Sequence, residues 1–228
     1  MKVNVVRNVL QANDLVAGEC RNQFRDADTL AVNLISAPGS GKTTLLEKTL
    51  PALSPAESIV IVGDLETTRD ADRLEPVAHE VVQINTGLSC HLYANQIAQS
   101  LGELPLDASE FLFIENVGNM VCPGEFDLGE NLKVILYSVP EGDDKVAKYP
   151  TIFRVADLVL LTKADLLDAL DFDLEHVRQD IARLNANVPV LEFSAKTGQG
   201  MDEWLAWLHA RREEGLAQEA RFVTEPLG

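Results

Sequence analysis

Leu34-Ile35-Ser36-Ala37-Pro38-Gly39-Ser40-Gly41-Lys42-Thr43-Thr44 decides how the rest of the chain is read. A β-rich run, Leu30 to Ile35, enters it and a helical run, Thr43 to Leu53, leaves it. A phosphate-binding P-loop needs this context. Gly39 and Gly41 let backbone N–H groups curl around a phosphate without Cβ clashes. The loop then presents the anion to a helix N-terminus, where unpaired N–H groups and the dipole favour negative charge. Lys42 is expected to reach the β/γ-phosphates and the Thr43 hydroxyl to ligate Mg²⁺, with Ser40 and Thr44 completing the cradle. The pattern departs at its first position, where Ser36 replaces the usual glycine. The two glycines nearest the lysine remain, so binding is expected to survive with a different bend at the loop entry. A plain Gly-rich turn would need neither the lysine nor the tandem threonines.

Outward from this stretch, strands are predicted at Leu30–Ser36, Ser58–Val62, Val81–Ile84, Phe111–Glu115, Leu132–Val139, Leu158–Leu161 and Val190–Phe193, with helical patterns between most of them. Alternating strands and helices with near-continuous apolar strands predict an α/β fold, a P-loop NTPase with a mostly parallel central sheet flanked by helices. Ligands in such sheets lie beyond the carboxyl ends of the strands. Before the first strand, Val5, Val9, Ala12, Val16, Cys20 and Phe24 recur at helical spacing, with Val6, Leu10 and Ala17 beside them, predicting an amphipathic N-terminal helix over 3–26. Cys20 falls on its apolar stripe and reads as a core thiol. One domain is expected over 1–228: the helix (1–28), a core (29–215) and a loosely held tail (216–228) containing Pro226 and Gly228.

Four further stations follow strands. Val62-Gly63-Asp64 leads into a polar loop, and Asp64 is placed to hold Mg²⁺, with Asp70 a second candidate and Asp72 reading better as a helix-start acid. Glu115-Asn116-Val117-Gly118 looks like the Asp-x-x-Gly station of GTPases with Glu for Asp. There the acid can orient Mg²⁺ or the attacking water, and the Gly118 N–H can sense the γ-phosphate. Thr162-Lys163-Ala164-Asp165 matches the guanine motif. Two carboxylate oxygens on Asp165 can accept from guanine N1–H and its amino group, a donor pair adenine lacks. The Lys163 stem can lie over the base. Ser194-Ala195-Lys196 looks like the loop whose backbone N–H meets guanine O6. Their order along the chain argues for GTP over ATP, and against a P-loop kinase or small-molecule ATPase.

Cys90 and His91 are adjacent, and Cys122 lies just past the Glu115 station. Thiolate–imidazole–thiolate donors suit Zn²⁺ or Ni²⁺. A closed four-ligand site would take its last ligand from water, another residue or a second subunit. The net charge of −17 argues against nucleic acid. No apolar run approaches the ~20 residues of a membrane-spanning helix. Three scattered cysteines give no disulfide framework, so a cytoplasmic chain with reduced thiols is expected.

Taken together, residues 36–46, Gly63-Asp64 with Asp70-Ala71-Asp72-Arg73, Cys90-His91-Leu92, Glu115 to Pro123, Glu141 to Pro150 and Thr162 to Asp165 resemble the HypB-type GTPases that support nickel insertion into [NiFe] hydrogenase. The similarity runs over about 3–212, and Glu-Asn-Val-Gly-Asn-x-Val-Cys-Pro is its most specific piece. The resemblance implies a GTP-hydrolysing metallochaperone of slow intrinsic turnover. It implies a GTP-dependent homodimer with a metal site of Cys90, His91 and Cys122 at its interface, and docking with a zinc-containing nickel chaperone that serves the hydrogenase large subunit. It also implies a dimer contact through Lys145 or Lys148. Tyr93 stands where the family usually has Asp, and Ser89 where glycine or an acid is common. With four histidines, the chain is not expected to store nickel. A GTPase serving another nickel or zinc enzyme, or a metal-binding protein with vestigial hydrolysis, is the alternative.

Overall fold

The computed structural model describes the backbone of residues 2–53 and 58–224, and the side chains of 10–53 and 58–215. Seven strands form one all-parallel sheet: β1 (Leu30–Ser36), β2 (Ser58–Asp64), β3 (Glu80–Asn85), β4 (Phe111–Glu115), β5 (Leu132–Ser138), β6 (Leu158–Thr162) and β7 (Val190–Phe193). Their spatial order is β3-β2-β4-β1-β5-β6-β7. The predicted strands agree with these to within two residues at each end. Every residue of β1 is buried, as expected for a strand covered on both faces.

Alternation along β1 separates the two faces. Val32 and Leu34 pack with Leu45, Leu46 and Leu50 of α2 (Lys42–Leu53) and with Trp204 and Leu208 of the last helix, α8 (Met201–Thr224). Trp204 donates its indole N–H to the Thr49 hydroxyl (2.8 Å), bolting α8 to the P-loop helix. On the opposite face Ala31 belongs to a cluster with α1 (Lys2–Asp26) and α4 (Ala94–Leu101). Ile35 belongs to another, with α6 (Pro150–Arg154) and α7 (Leu174–Leu184). Between them β1 carries Asn33, which is fully buried.

The leading helix is present, with Ala17, Cys20 and Phe24 in the core. Burial pushes the Cys20 thiol up to about 11, as a core thiol requires. One stripe position differs: Ala12 is exposed and Asn13 is buried instead. The Asn13 amide donates to Asp127 O (2.7 Å) and accepts from Ala94 N (2.9 Å), so hydrogen bonds compensate its burial. The side chains of Val5, Val6 and Val9 lie outside the described residues. So do Pro226 and Gly228, while α8 continues through Gly215 to Thr224. Among the described residues no helix is long and apolar enough to cross a membrane.

Candidate functional site

The predicted stations meet along the carboxyl edge of the sheet. At the P-loop, Gly39 and Gly41 have φ of +76° and +99°, a conformation that side-chain-bearing residues rarely adopt. The Lys42 ammonium donates to Ser36 Oγ (3.1 Å), so the residue in the unusual first position holds the lysine. Burial pulls the Lys42 ammonium below the usual lysine range, against the attraction of Glu115.

Thr43 Oγ1 donates to Glu115 Oε1 (2.8 Å), joining the first turn of α2 to the end of β4. Glu115 is 3 % exposed, and its second oxygen, Oε2, is buried without a partner. Desolvation raises its carboxyl to about 7, although Lys42 and Thr43 oppose the rise. An unpaired buried carboxylate oxygen beside a threonine hydroxyl is a donor set that fits Mg²⁺. Asp64 is arranged differently. It accepts from Leu65 N, Thr67 N and Thr67 Oγ1, capping its own loop. Desolvation pushes its carboxyl up, but these bonds outweigh it and leave it below the ordinary range. Asp70 lies 3.5 Å from Arg73, and Asp72 accepts from Thr68 Oγ1 in the first turn of α3 (Arg69–Leu74). A Cβ on Gly118 would come within 2.9 Å of Pro38 Cα, so the segment after β4 lies directly on the P-loop.

Across the sheet, Thr162 Oγ1 donates to Ser40 O (2.7 Å) and Lys163 Nζ to Gly39 O (2.8 Å). Lys163 takes the left-handed conformation, φ +57°, and its side chain crosses back to the P-loop. Asp165 Oδ1 accepts from Ser194 Oγ (2.6 Å), and Lys196 lies 3.7 Å from Oδ2. Ser194 and Lys196 hold the Asp165 carboxyl below the usual range despite some desolvation. Ala195 packs between these two residues in sequence, against the core. The stations at Thr162–Asp165 and Ser194–Lys196 therefore form one cluster tied to the P-loop.

Two contacts were not anticipated from the sequence. Glu141 Oε1 accepts from Ser40 Oγ (2.7 Å), Ser138 Oγ and Ser138 N, so it braces the P-loop from beyond β5. The Ser138-x-x-Glu141 capping spacing was its signal. Arg73 grips Glu47 with two bonds and donates to Thr44 Oγ1 (3.1 Å).

On the β2–β4 side of the same edge stand Cys90, His91 and Cys122. Their candidate ligand atoms all lie within 4.8 Å of one another. The two sulfurs are 3.3 Å apart, and Cys90 Sγ is 3.7 Å from His91 Nδ1. Both cysteines are free thiols. His91 is 5 % exposed, stacked on Phe126 (4.0 Å) and tilted against Tyr93 (4.4 Å). Desolvation lowers its pKa, which keeps a neutral imidazole lone pair for a metal. Two soft sulfurs and an imidazole converging at these distances fit Ni²⁺ or Zn²⁺. The two residues flagged as departures touch this histidine: Tyr93 packs on its ring, and Ser89 Oγ donates to its carbonyl (2.8 Å). Lys145 and Lys148 bound the short α5, where Lys148 pairs with Asp144.

The chain matches the CobW/HypB/UreG nucleotide-binding domain family over residues 30–192. It is 45 % identical over 221 residues to the hydrogenase maturation factor HypB of Azotobacter chroococcum, covering 96 % of this chain and 72 % of that one. It is 41 % identical over 224 residues to the hydrogenase/urease maturation factor HypB of Helicobacter hepaticus, covering 96 % and 92 %. The crystal structure of HypB from Helicobacter pylori in complex with nickel superposes with a TM-score of 0.85 at 40 % identity, covering 89 % of this chain and 96 % of that chain.

Proposed function

The chain belongs to the HypB hydrogenase maturation GTPases, and we propose that it is a GTP-hydrolysing metallochaperone that passes nickel toward [NiFe] hydrogenase. The observation that carries this reading is the shared segment. Glu115, against the Thr43 hydroxyl, and Cys122, among the metal donors, belong to one short stretch that starts at the end of β4. A change at the γ-phosphate can therefore displace a metal ligand without any intervening domain.

In this reading Gly39 to Thr44 cradle the phosphates, Lys42 neutralises charge that develops between the β- and γ-phosphates, and Gly118 N–H senses the γ-phosphate. Asp165 and Lys163, with Thr162, Ala195 and Lys196, select guanine. Thr43 and Glu115 are the protein's Mg²⁺ donors, completed by Asp64 or Asp70. Mg²⁺ supplies charge neutralisation and orients the phosphates. A cation there would give the unpartnered Oε2 of Glu115 a partner and would hold the carboxylate ionised. Intrinsic hydrolysis is slow in this reading.

Nickel is cargo here, held by Cys90, His91 and Cys122. Three donors from one chain leave a coordination position, and a second copy of the chain is proposed to fill it in a GTP-dependent dimer, with Lys145 or Lys148 at the contact. Exposed Leu88 and Val121 beside Cys90 and Cys122 supply apolar surface for that face. A zinc-containing nickel chaperone is the proposed recipient, the hydrogenase large subunit the final one, and the cytoplasm the place. The chain acts as one domain. A second reading, service to another nickel or zinc enzyme, rests on Tyr93 and Ser89 against His91.

The test is nickel affinity and mass in solution, with GDP and with a non-hydrolysable GTP analogue. A dimer in the analogue state whose altered nickel affinity disappears in Cys122→Ala supports the reading. Nucleotide that changes neither quantity overturns the coupling.

A further inference from the structure

Glu115 and Asn116 are neighbours in sequence that face opposite sides of the sheet. Residue alternation sends Phe111, Phe113 and Glu115 toward α2 and the P-loop, and Leu112, Ile114 and Asn116 toward α1 and α4. Asn116 is 1 % exposed. Its Oδ1 accepts from the backbone N–H of Leu92 (3.2 Å) and from Val117 N (3.0 Å). Its Nδ2 donates to Asn33 Oδ1 (3.2 Å), and Asn33 Nδ2 donates in turn to Glu130 Oε1 (3.0 Å). Glu130 also accepts from Leu128 N and pairs with Lys133. A chain of buried polar side chains therefore runs beneath β1, in the gap where the core of that face divides in two.

Buried amides are costly in an apolar layer and are kept only when bonded. Here one end of the chain of bonds reaches the main-chain N–H of Leu92, the residue that follows Cys90-His91. The Leu92 side chain is also trapped from its other side: a Cβ on Gly63 would fall 2.8 Å from Leu92 Cγ. Leu92 is thus wedged between the carboxyl ends of β2 and β4, the two strand ends that carry Asp64 and Glu115. A second asparagine repeats the link nearer the sulfurs, with Asn119 Nδ2 donating to Cys90 O (3.2 Å) and Asn119 Oδ1 accepting from Val121 N (2.9 Å).

We propose that Asn116 is a positioning residue that clamps the Cys90-His91-Leu92 loop to the end of β4, so that a shift of Glu115 on one face of the sheet moves the metal donors on the other. Asn116 touches neither nucleotide nor metal in this assignment. It transmits position because it directly follows Glu115 in sequence and its amide oxygen holds a main-chain N–H that no substitution at Leu92 short of proline can remove. This proposal rests on the nucleotide-coupled metal site of the preceding section.

The experiment measures the affinity for Ni²⁺ alone, with GDP and with a non-hydrolysable GTP analogue, in the full chain and in Asn116→Ala and Asn33→Ala. Both variants lose the hydrogen bond between Asn33 and Asn116, but only Asn116→Ala releases the Leu92 N–H. Asn116→Ala is expected to bind both nucleotides within about twofold of the parent while its GDP-to-analogue affinity ratio falls to near one. Asn33→Ala is expected to keep that ratio within about twofold. Amide hydrogen exchange over Gly87–Leu92 should respond to nucleotide in the parent and cease to respond in Asn116→Ala. If the alanine variant does not fold, Asn116→Ser, whose hydroxyl is a bond too short to reach Leu92, should lower the ratio at least threefold. A parental ratio that survives in Asn116→Ala, or one lost equally in both variants, overturns the clamp alone. A parental ratio of one overturns the metal switch itself and takes the clamp with it.

Discussion

The P-loop and the Cys90–His91–Cys122 cluster lie on the same edge of the same sheet but are built in contrary ways. Around the P-loop, polar side chains meet partners from the end of β1, from just beyond β5 and from the end of β6: Ser36 on Lys42, Glu141 on Ser40, Thr162 on the Ser40 carbonyl and Lys163 on the Gly39 carbonyl. That loop is preorganised by the fold. At the metal cluster Cys90 is exposed, Cys122 is half-buried, His91 Nε2 is buried without a partner, and Leu88 stands fully in solvent. There the donors converge but are not enclosed. The difference teaches that one chain by itself orders the loop around Gly39–Thr44, whereas it brings Cys90, His91 and Cys122 together without enclosing them.

Lys42→Ala tests the contrast hardest. Loss of the buried cation should reduce GTP hydrolysis on the order of 10²–10³-fold in kcat/KM, while one nickel-binding site per chain survives titration with the metal. Loss of both functions would show that the two regions do not fold independently of each other's ligand.

Glu115 sharpens the comparison through pH. Its carboxyl is raised to about 7 in the folded chain by burial, against an ordinary value near 4.5. The folded state therefore holds a proton that the unfolded state has already lost, and stability falls as pH rises from about 4.5 to 7. The loss is on the order of 3 kcal/mol for a shift of this size. Chemical denaturation of metal- and nucleotide-free protein should show this slope, Glu115→Gln should flatten it, and saturating Mg²⁺ with GDP should reduce it.

Asn13→Ala probes the support of the open region. Asn13 ties the backbones of Ala94 and Asp127, next to Tyr93 and Phe126, the two rings that enclose His91. Leaving a buried N–H and a carbonyl without partners should cost about 1–3 kcal/mol of stability. It should also weaken nickel binding more than GTP binding, measured by calorimetry on the same sample. Equal effects on both ligands would break the distinction. The smallest effect is expected at Arg73→Ala. Its pairs with Glu47 and Asp70 are largely exposed, and such pairs contribute about 0–1 kcal/mol, so denaturation midpoints should barely move.

What the sequence made legible follows the same division. Strand positions came from continuous apolar runs, and the nucleotide stations from spacing, because glycine geometry and phosphate chemistry constrain residue types tightly. The grouping of Cys90, His91 and Cys122 was also legible, since Cys-His adjacency is uncommon without a reason and the fold brings the three together. The polar scaffolding was not. Asn13, Asn33 and Asn116 break the apolar periodicity, and an amide's value depends on partners from distant strands, such as the separation of Asn33 from Glu130. Ala12 was placed on the buried stripe for the same reason: periodicity ranks alanine above asparagine, and only the contacts of Asn13 reverse the order. Asp64 was expected beside Mg²⁺ with Glu115, but its bonds to Leu65 and Thr67 come from a local turn that spacing does not specify.

The strand order carries a consequence for the newborn chain. β1, with the P-loop at its end, is synthesised first but sits between β4 and β5, and α8 must arrive before Trp204 can bolt the P-loop helix in place. Parallel pairing of segments so far apart is slow to form. A ribosome-bound chain therefore lacks both sheet neighbours of β1 until β5 has emerged, and lacks the Trp204 contact until α8 follows. The helix that carries Lys42 and Thr43 is thus locked by one of the last segments to be made, long after its own sequence has emerged.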